Sequence, residues 1–236
     1  MTTQSKSITN LLLTSLPEAD YKRLSANLEP VTLSLGQTLY ETDQQITQVY
    51  FPEKSIISLI QTTEQGQSVE VGLVGREGVA GIALISGLTQ SPYRAIVQTA
   101  NGAWRMEANT FKEEFNRGGA FHDLVLRYLH GLLMQIANTA VCNRLHPVEQ
   151  RLARWLLMIQ DRVQAIELHL THEFIATMLG VGRVPVTLAA GMLQKAGLIQ
   201  YSRGDITIVN RDGLELVACE CYLFSKAEFD KVGLEL

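Results

Sequence analysis

The chain has 236 residues, 46% of them hydrophobic and 19% charged, with a formal net charge of -4. That length supports two domains with a core in each, and the balance of apolar and charged residues is that of a folded chain rather than a disordered one. Its apolar runs are broken short of the roughly 18 residues a membrane-spanning helix needs, and the polar residues 1–9 do not read as an export signal, so a cytoplasmic location and no membrane partner are expected.

Residues 8–28 read as helical, with Leu11, Leu12, Leu16 and Leu24 on a buried side and Pro17 at a helix start. From Val31 to about Met106 apolar residues alternate in short runs: Val31/Leu33/Leu35, Val49/Phe51, Ile56/Ser58/Ile60, Val69/Val71/Leu73, Ile96 to Gln98, and Trp104/Met106. Turn signals at Gly36, Pro52, Gln65-Gly66 and Asn101-Gly102 separate them, the pattern of a barrel or jelly roll. Residues 121–143 change character and predict a long helix, with Leu126, Leu129, Leu133, Ile136 and Ala140 at three- and four-residue steps. Leu124, Val125 and Leu132 widen its apolar face beyond what one domain needs, so the same helix of a second subunit is the expected cover and the chain is expected to be a homodimer. Pro147 restarts the chain, and a further helix from Val148 to about Val163 turns Leu152, Trp155, Leu156 and Ile159 inward. The boundaries that follow are 1–120 for a β-rich domain with its N-terminal helix, 121–146 for the long helix and hinge, and 147–236 for the rest.

The residues after Leu170 are the most specific. A helix beginning after Thr171, whose hydroxyl caps free N–H groups, buries Ile175, Met178 and Leu179 and ends at Gly180. A second opens near Arg183, places Val186, Ala189, Ala190 and Leu193 inward, and stops at Gly197. Pro185 sits in its first turn, where a missing N–H costs no helical bond. Leu198 to Ser202 and Ile206 to Asn210 alternate around the polar turn Arg203-Gly204-Asp205. Helix, turn, helix and hairpin in that order outline a winged helix-turn-helix, a reader of double-stranded DNA. Charge agrees: residues 1–120 carry nine Lys/Arg against twelve Asp/Glu, whereas residues 144–205 carry seven against five, with His146, His169 and His172 able to add charge near phosphate.

Cys142, Cys219 and Cys221 are too few and too odd in number for a disulfide framework. Cys219-Glu220-Cys221 alone lacks the second pair of ligands that zinc requires, so packed, reduced thiols and no metal are expected. No histidine precedes His122, which argues against a jelly-roll enzyme with a histidine-bound metal. Gly75, Gly78 and Gly81 lack the lysine and helix of a phosphate loop, so no catalytic residue is assigned. A module that keeps this architecture for protein contacts is the alternative, since Val184, Pro185 and Leu188 make the second helix apolar.

The order of these parts, with VEVGLVGREGVAG (69–81), the block from Cys142 to Leu157, the helix-turn-helix and AGLIQYSRG (196–204), resembles the Crp/Fnr superfamily of bacterial transcription regulators over nearly the whole chain. The resemblance implies an α+β fold: an N-terminal, cyclic-nucleotide-binding-like β jelly-roll, a long dimerisation helix and a C-terminal winged helix-turn-helix. It implies a dimer on a two-fold symmetric operator and a contact with RNA polymerase. Arg183 stands where the family reads guanine, and Val184 and Leu188 depart from the family's Glu and second Arg, so the operator should differ and Val184 should meet a thymine methyl. Thr171, His172, Gly182, Thr187 and Arg203 complete the expected DNA contacts. In the cyclic-nucleotide cassette a Gly-Glu pair and an Arg hold ribose and phosphate; here Gly81 is followed by Ile82, and Arg94-Ala95 keeps only the second half. Ile136 and Ala137 fall where base contacts would be and lack polar groups, so cyclic AMP is not the expected ligand and the effector stays open. Arg94 is left with two readings, an anion site or an ion pair with a carboxylate such as Glu77. Without a cysteine before Cys142 or a histidine in the barrel, neither iron–sulfur nor haem sensing is implied, and no cofactor is expected.

Overall fold

The computed structural model describes residues 8–236, so of the polar start only residues 8 and 9 are seen. The predicted helix over 8–28 is two helices, α1 (Leu11–Thr14) and α2 (Glu18–Ser25), because Pro17 has no N–H to carry a helix through and instead caps the second. Asn10 caps α1 by accepting from the Leu13 N–H at 3.2 Å, and its amide donates to the carbonyls of Pro52 and Gly78, which fastens this end to the barrel.

Seven strands follow: β1 (Glu29–Leu33), β2 (Thr38–Tyr40), β3 (Gln48–Pro52), β4 (Ile56–Thr62), β5 (Ser68–Val74), β6 (Arg94–Thr99) and β7 (Asn101–Glu107). They form two antiparallel sheets, ordered β1-β7-β3 and β2-β6-β4-β5, facing each other across the first core. Strand β4 departs from simple alternation. Ile57 and Leu59 fill the barrel, while Ile56 and Ile60 of the predicted run belong to a second core formed with the C-terminal half. Both faces are covered, so the polar Ser58 is buried along with Ile56 and Ile60 and burial does not separate the two faces. Glu70 on β5 is buried for the same reason, although alternation with Val69 and Val71 predicts exposure.

After α3 (Ala108–Asn116), the predicted long helix is α4 (Ala120–Leu145). Leu124, Val125 and Leu132 lie in the barrel core, so the chain itself covers them and the apolar face left open on α4 is narrower than expected. What stays open is a stripe of Leu126, Leu133, Ala137, Ala140 and Val141, with Leu133 55% exposed, while Leu129 and Ile136 flank it half-buried.

Helix α5 (Val148–Val163) forms the wall between the halves, turning Leu152, Trp155, Leu156 and Ile159 inward. The remainder comprises β8 (Glu167–His169), α6 (His172–Leu179), α7 (Arg183–Lys195), β9 (Ile199–Ser202), β10 (Asp205–Ile208), α8 (Arg211–Val217) and α9 (Cys221–Lys231). The wing has three strands, ordered β8-β10-β9; three-residue β8 is too short to announce itself by pattern. Helix α9 returns to α4, where Phe229 packs on Gly131 and joins the first core with Leu234, so by packing the C-terminal segment belongs with the barrel and long helix.

Candidate nucleic-acid interface

Helix α6 starts as its sequence dictates: the Thr171 hydroxyl accepts from the Phe174 N–H at 3.2 Å. It ends at Gly180, whose φ of +61° is the left-handed cap that suits glycine. Helix α7 leaves at 108° to α6, the crossing of a helix-turn-helix. Ile175, Met178 and Leu179 of α6 meet Val186, Ala189, Ala190 and Leu193 of α7 in the second core. That packing turns Arg183, Val184, Thr187, Leu188, Gly191, Met192 and Lys195 outward. Val184 is 70% exposed and Leu188 63%, an apolar surface bordered by Arg183 and Lys195. Gly191, Met192 and Lys195 extend this face beyond the predicted contacts, and their three- and four-residue steps from Leu188 are the signal that places them.

The expected DNA contacts gather at this corner. His172 stacks on Tyr201 at 4.1 Å and meets the Thr187 hydroxyl at 3.0 Å, and Thr187 in turn donates to the Arg183 carbonyl. Burial, then the Arg183 charge, hold the His172 pKa below its usual value, so this ring is neutral near pH 7 rather than a cation for phosphate. His169 instead pairs with Asp205 at 2.6 Å. In the wing, Ser202 pairs with Asp205, which makes the turn two residues, Arg203 and Gly204, both at positive φ as a tight hairpin requires. Arg203 stands exposed at the tip, and Gly204 lies beside Thr171.

The α6–α7 corner also touches the barrel. A Cβ on Gly180 would come within 2.8 Å of the Val69 side chain, and Arg151 donates to the Leu179 carbonyl and to Asn143 at 2.9 Å. Between this corner and the β4–β5 hairpin runs a groove of about 780 Å³ that includes Ser68, Arg151, Gly182 and Arg183.

The expected effector residues are not brought to one place. Gly81 and Ile82 line a barrel cavity of about 20 Å³ with Tyr40 and Leu132, space on the scale of a single water. Arg94 lies outside that lining, 3.5 Å from Glu41 and 3.3 Å from the Thr38 hydroxyl. Glu77, the carboxylate suggested for Arg94, is taken by Arg162 at 2.8 Å with both groups buried. Ala95 is buried in the sheet, Ile136 packs near Gly72, and Ala137 is exposed. The ground for expecting no metal also changes, because the fold supplies Cys219 and Cys221 with the second pair of ligand types they lack in sequence, Cys142 and His146.

Residues 150–217 match the Crp-like helix-turn-helix domain family. The chain is 26% identical over 212 residues to the global nitrogen regulator of Synechocystis sp., spanning 81% of this chain and 91% of that protein. It is 24% identical to the global nitrogen regulator of Synechococcus elongatus, spanning 85% and 94%. FixK2 from Bradyrhizobium japonicum shares the fold with a TM-score of 0.69 at 14% identity, over 81% of this chain and 98% of that one. A CRP-family transcriptional regulator from Thermus thermophilus does so with a TM-score of 0.66 at 20% identity, over 80% and 96%. The class is therefore that of DNA-binding transcription regulators, with a β-barrel followed by a winged helix-turn-helix. Residues 150–217 are of the Crp-like helix-turn-helix type, and the chain as a whole shares the fold of these regulators. No single described helix is long and apolar enough to cross a membrane.

Proposed function

We propose that the chain is a non-enzymatic cytoplasmic regulator that reads a two-fold operator through the outer face of α7 and contacts RNA polymerase from the DNA. The division into a sensory region (1–120), a dimerisation helix with its hinge (121–146) and a DNA-reading region (147–236) goes with this reading, except that the last helix, α9, packs back on α4 and the barrel core. The observation that carries it is the split character of α7, packed on one side and open on the other, with Arg183 at its exposed N-terminal end. Arg183 reads guanine through O6 and N7, Val184 meets a thymine methyl, and Gly182 and Arg203 hold phosphates. The open stripe on α4 is where a second copy docks. The missing cassette carboxylate and the 20 Å³ barrel cavity speak against cyclic AMP as the effector.

Selection from a randomised duplex pool at two salt concentrations tests the reading. An inverted repeat is expected, with affinity falling as salt rises; retention of no sequence, or of all sequences equally, would favour a protein-contact module instead. Arg183→Ala should remove about 1–3 kcal/mol of discrimination at one base pair of each half-site. Arg203→Ala should weaken operator and random DNA alike, and an equal loss on both duplexes for Arg183→Ala would refute its assignment.

A further inference from the structure

We propose that Cys142, His146, Cys219 and Cys221 bind one zinc ion that fastens the C-terminal helix to the hinge between α4 and α5. Cys142 lies in the last turn of α4, and His146 caps that helix with its N–H donating to the Cys142 carbonyl at 3.1 Å, which keeps the two residues together. Cys219 and Cys221 flank Glu220 where α9 begins, and the return of α9 along α4 brings the two pairs together. All four ligand atoms lie within 4.8 Å of one another, with Cys142 Sγ to Cys219 Sγ at 3.4 Å and Cys221 Sγ to His146 Nδ1 at 3.7 Å. Bond lengths of about 2.3 Å to sulfur and 2.0–2.1 Å to nitrogen in a tetrahedral site separate ligands by roughly 3.5–3.8 Å, so the set closes on a single ion with small side-chain shifts. An iron–sulfur cluster, which spreads its thiolates over several metal atoms, needs a wider cage.

Three features around the ligands fit zinc. The cysteines are buried and the His146 side chain is only 14% exposed, as in a closed structural site. With Nδ1 turned to the sulfurs, His146 presents Nε2 to Glu220 at 3.4 Å, the carboxylate backing that orients a metal-bound imidazole. Three thiolates and one zinc carry a net charge of -1, and the buried Arg154 stands by to balance it. Among the described residues Arg154 has no carboxylate at ion-pair distance, its Nε has no hydrogen-bond partner, and its field acts on all three sulfurs. The site thus locks together the end of the dimerisation helix, the hinge residue His146 and the C-terminal helix, and it is separate from the residues that face DNA.

The test uses the full chain, purified under reducing conditions and titrated with zinc and with cobalt. One zinc per chain is expected, released protons accompany its binding, and cobalt should give thiolate charge-transfer bands with tetrahedral ligand-field absorption. Cys219→Ser should lose the ion. Because that change touches a buried residue, Glu220→Gln is the second variant: the Glu220 side chain is 61% exposed, so the fold should stand while zinc affinity drops about 10–100-fold. Full zinc content in Cys219→Ser, or cobalt spectra without thiolate bands, would overturn the proposal. So would a reduced protein that takes up no zinc and forms a Cys142–Cys219 disulfide in air, the behaviour of a redox pair.

Discussion

Replacing Glu77 with alanine should destabilise the protein by about 3–5 kcal/mol, read as a fall in the urea midpoint at an unchanged slope. Glu77 is fully buried and accepts from Arg162 Nε at 2.8 Å and from the Gly75 N–H at 3.2 Å. Arg162 is 1% exposed, donates to the Met158 carbonyl, and lies 5.6 Å over the ring of Phe229. A barrel loop, α5 and α9 therefore converge on one ion pair, and removing the acid strands a guanidinium away from water. The paired change Glu77→Leu with Arg162→Met should cost less than the acid's removal alone, since both charges then leave together. A double variant whose loss equals the sum of the two singles would show that the charges are not coupled.

Glu70→Gln should change the pH dependence of stability more than its value at acid pH. The Glu70 carboxyl is enclosed, and burial pushes it from the ordinary 4.5 to about 7, against the nearby Ser58 hydroxyl, the hydrogen bond from Trp155 and the charges of Arg154 and Arg162, which pull it down. A carboxyl whose folded pKa is raised binds more protons folded than unfolded. Its contribution is full below about 4.5 and is lost as pH climbs through 7, roughly 3 kcal/mol in all. Glutamine keeps an acceptor for Trp155 and has no charge to desolvate, so the variant should match the parent near pH 4.5 and exceed it by up to about 3 kcal/mol at pH 8. Denaturant unfolding at both values measures this; parallel pH profiles would place the raised group elsewhere.

The reader is the most legible part of the sequence. Its caps, turn glycine and inner-face spacing are local signals, and Thr171, Gly180 and Val186 behave as those signals require. The barrel strands are legible as strands but not in orientation, because the run IISLI on β4 is buried on both faces and its one polar residue, Ser58, shares a face with Ile56 and Ile60. Contacts between distant segments are hidden altogether. Glu77 and Arg162 are 85 positions apart, Cys142 and Cys219 are 77 apart, and no local spacing announces either pair. The effector residues are the least legible, since a resemblance locates a cassette position without saying whether Arg94 turns into the barrel or, as here, toward Glu41.

Strand β4 gives one face to each hydrophobic core, and this joint ownership governs how the molecule comes apart. Melting the barrel exposes Ile56 and Ile60 together with their neighbours on α5, and melting the reader strips the outer face of the same strand. Neither half can unfold while leaving the other's interior dry, so barrel and reader are expected to unfold as one cooperative unit rather than as two beads on a hinge.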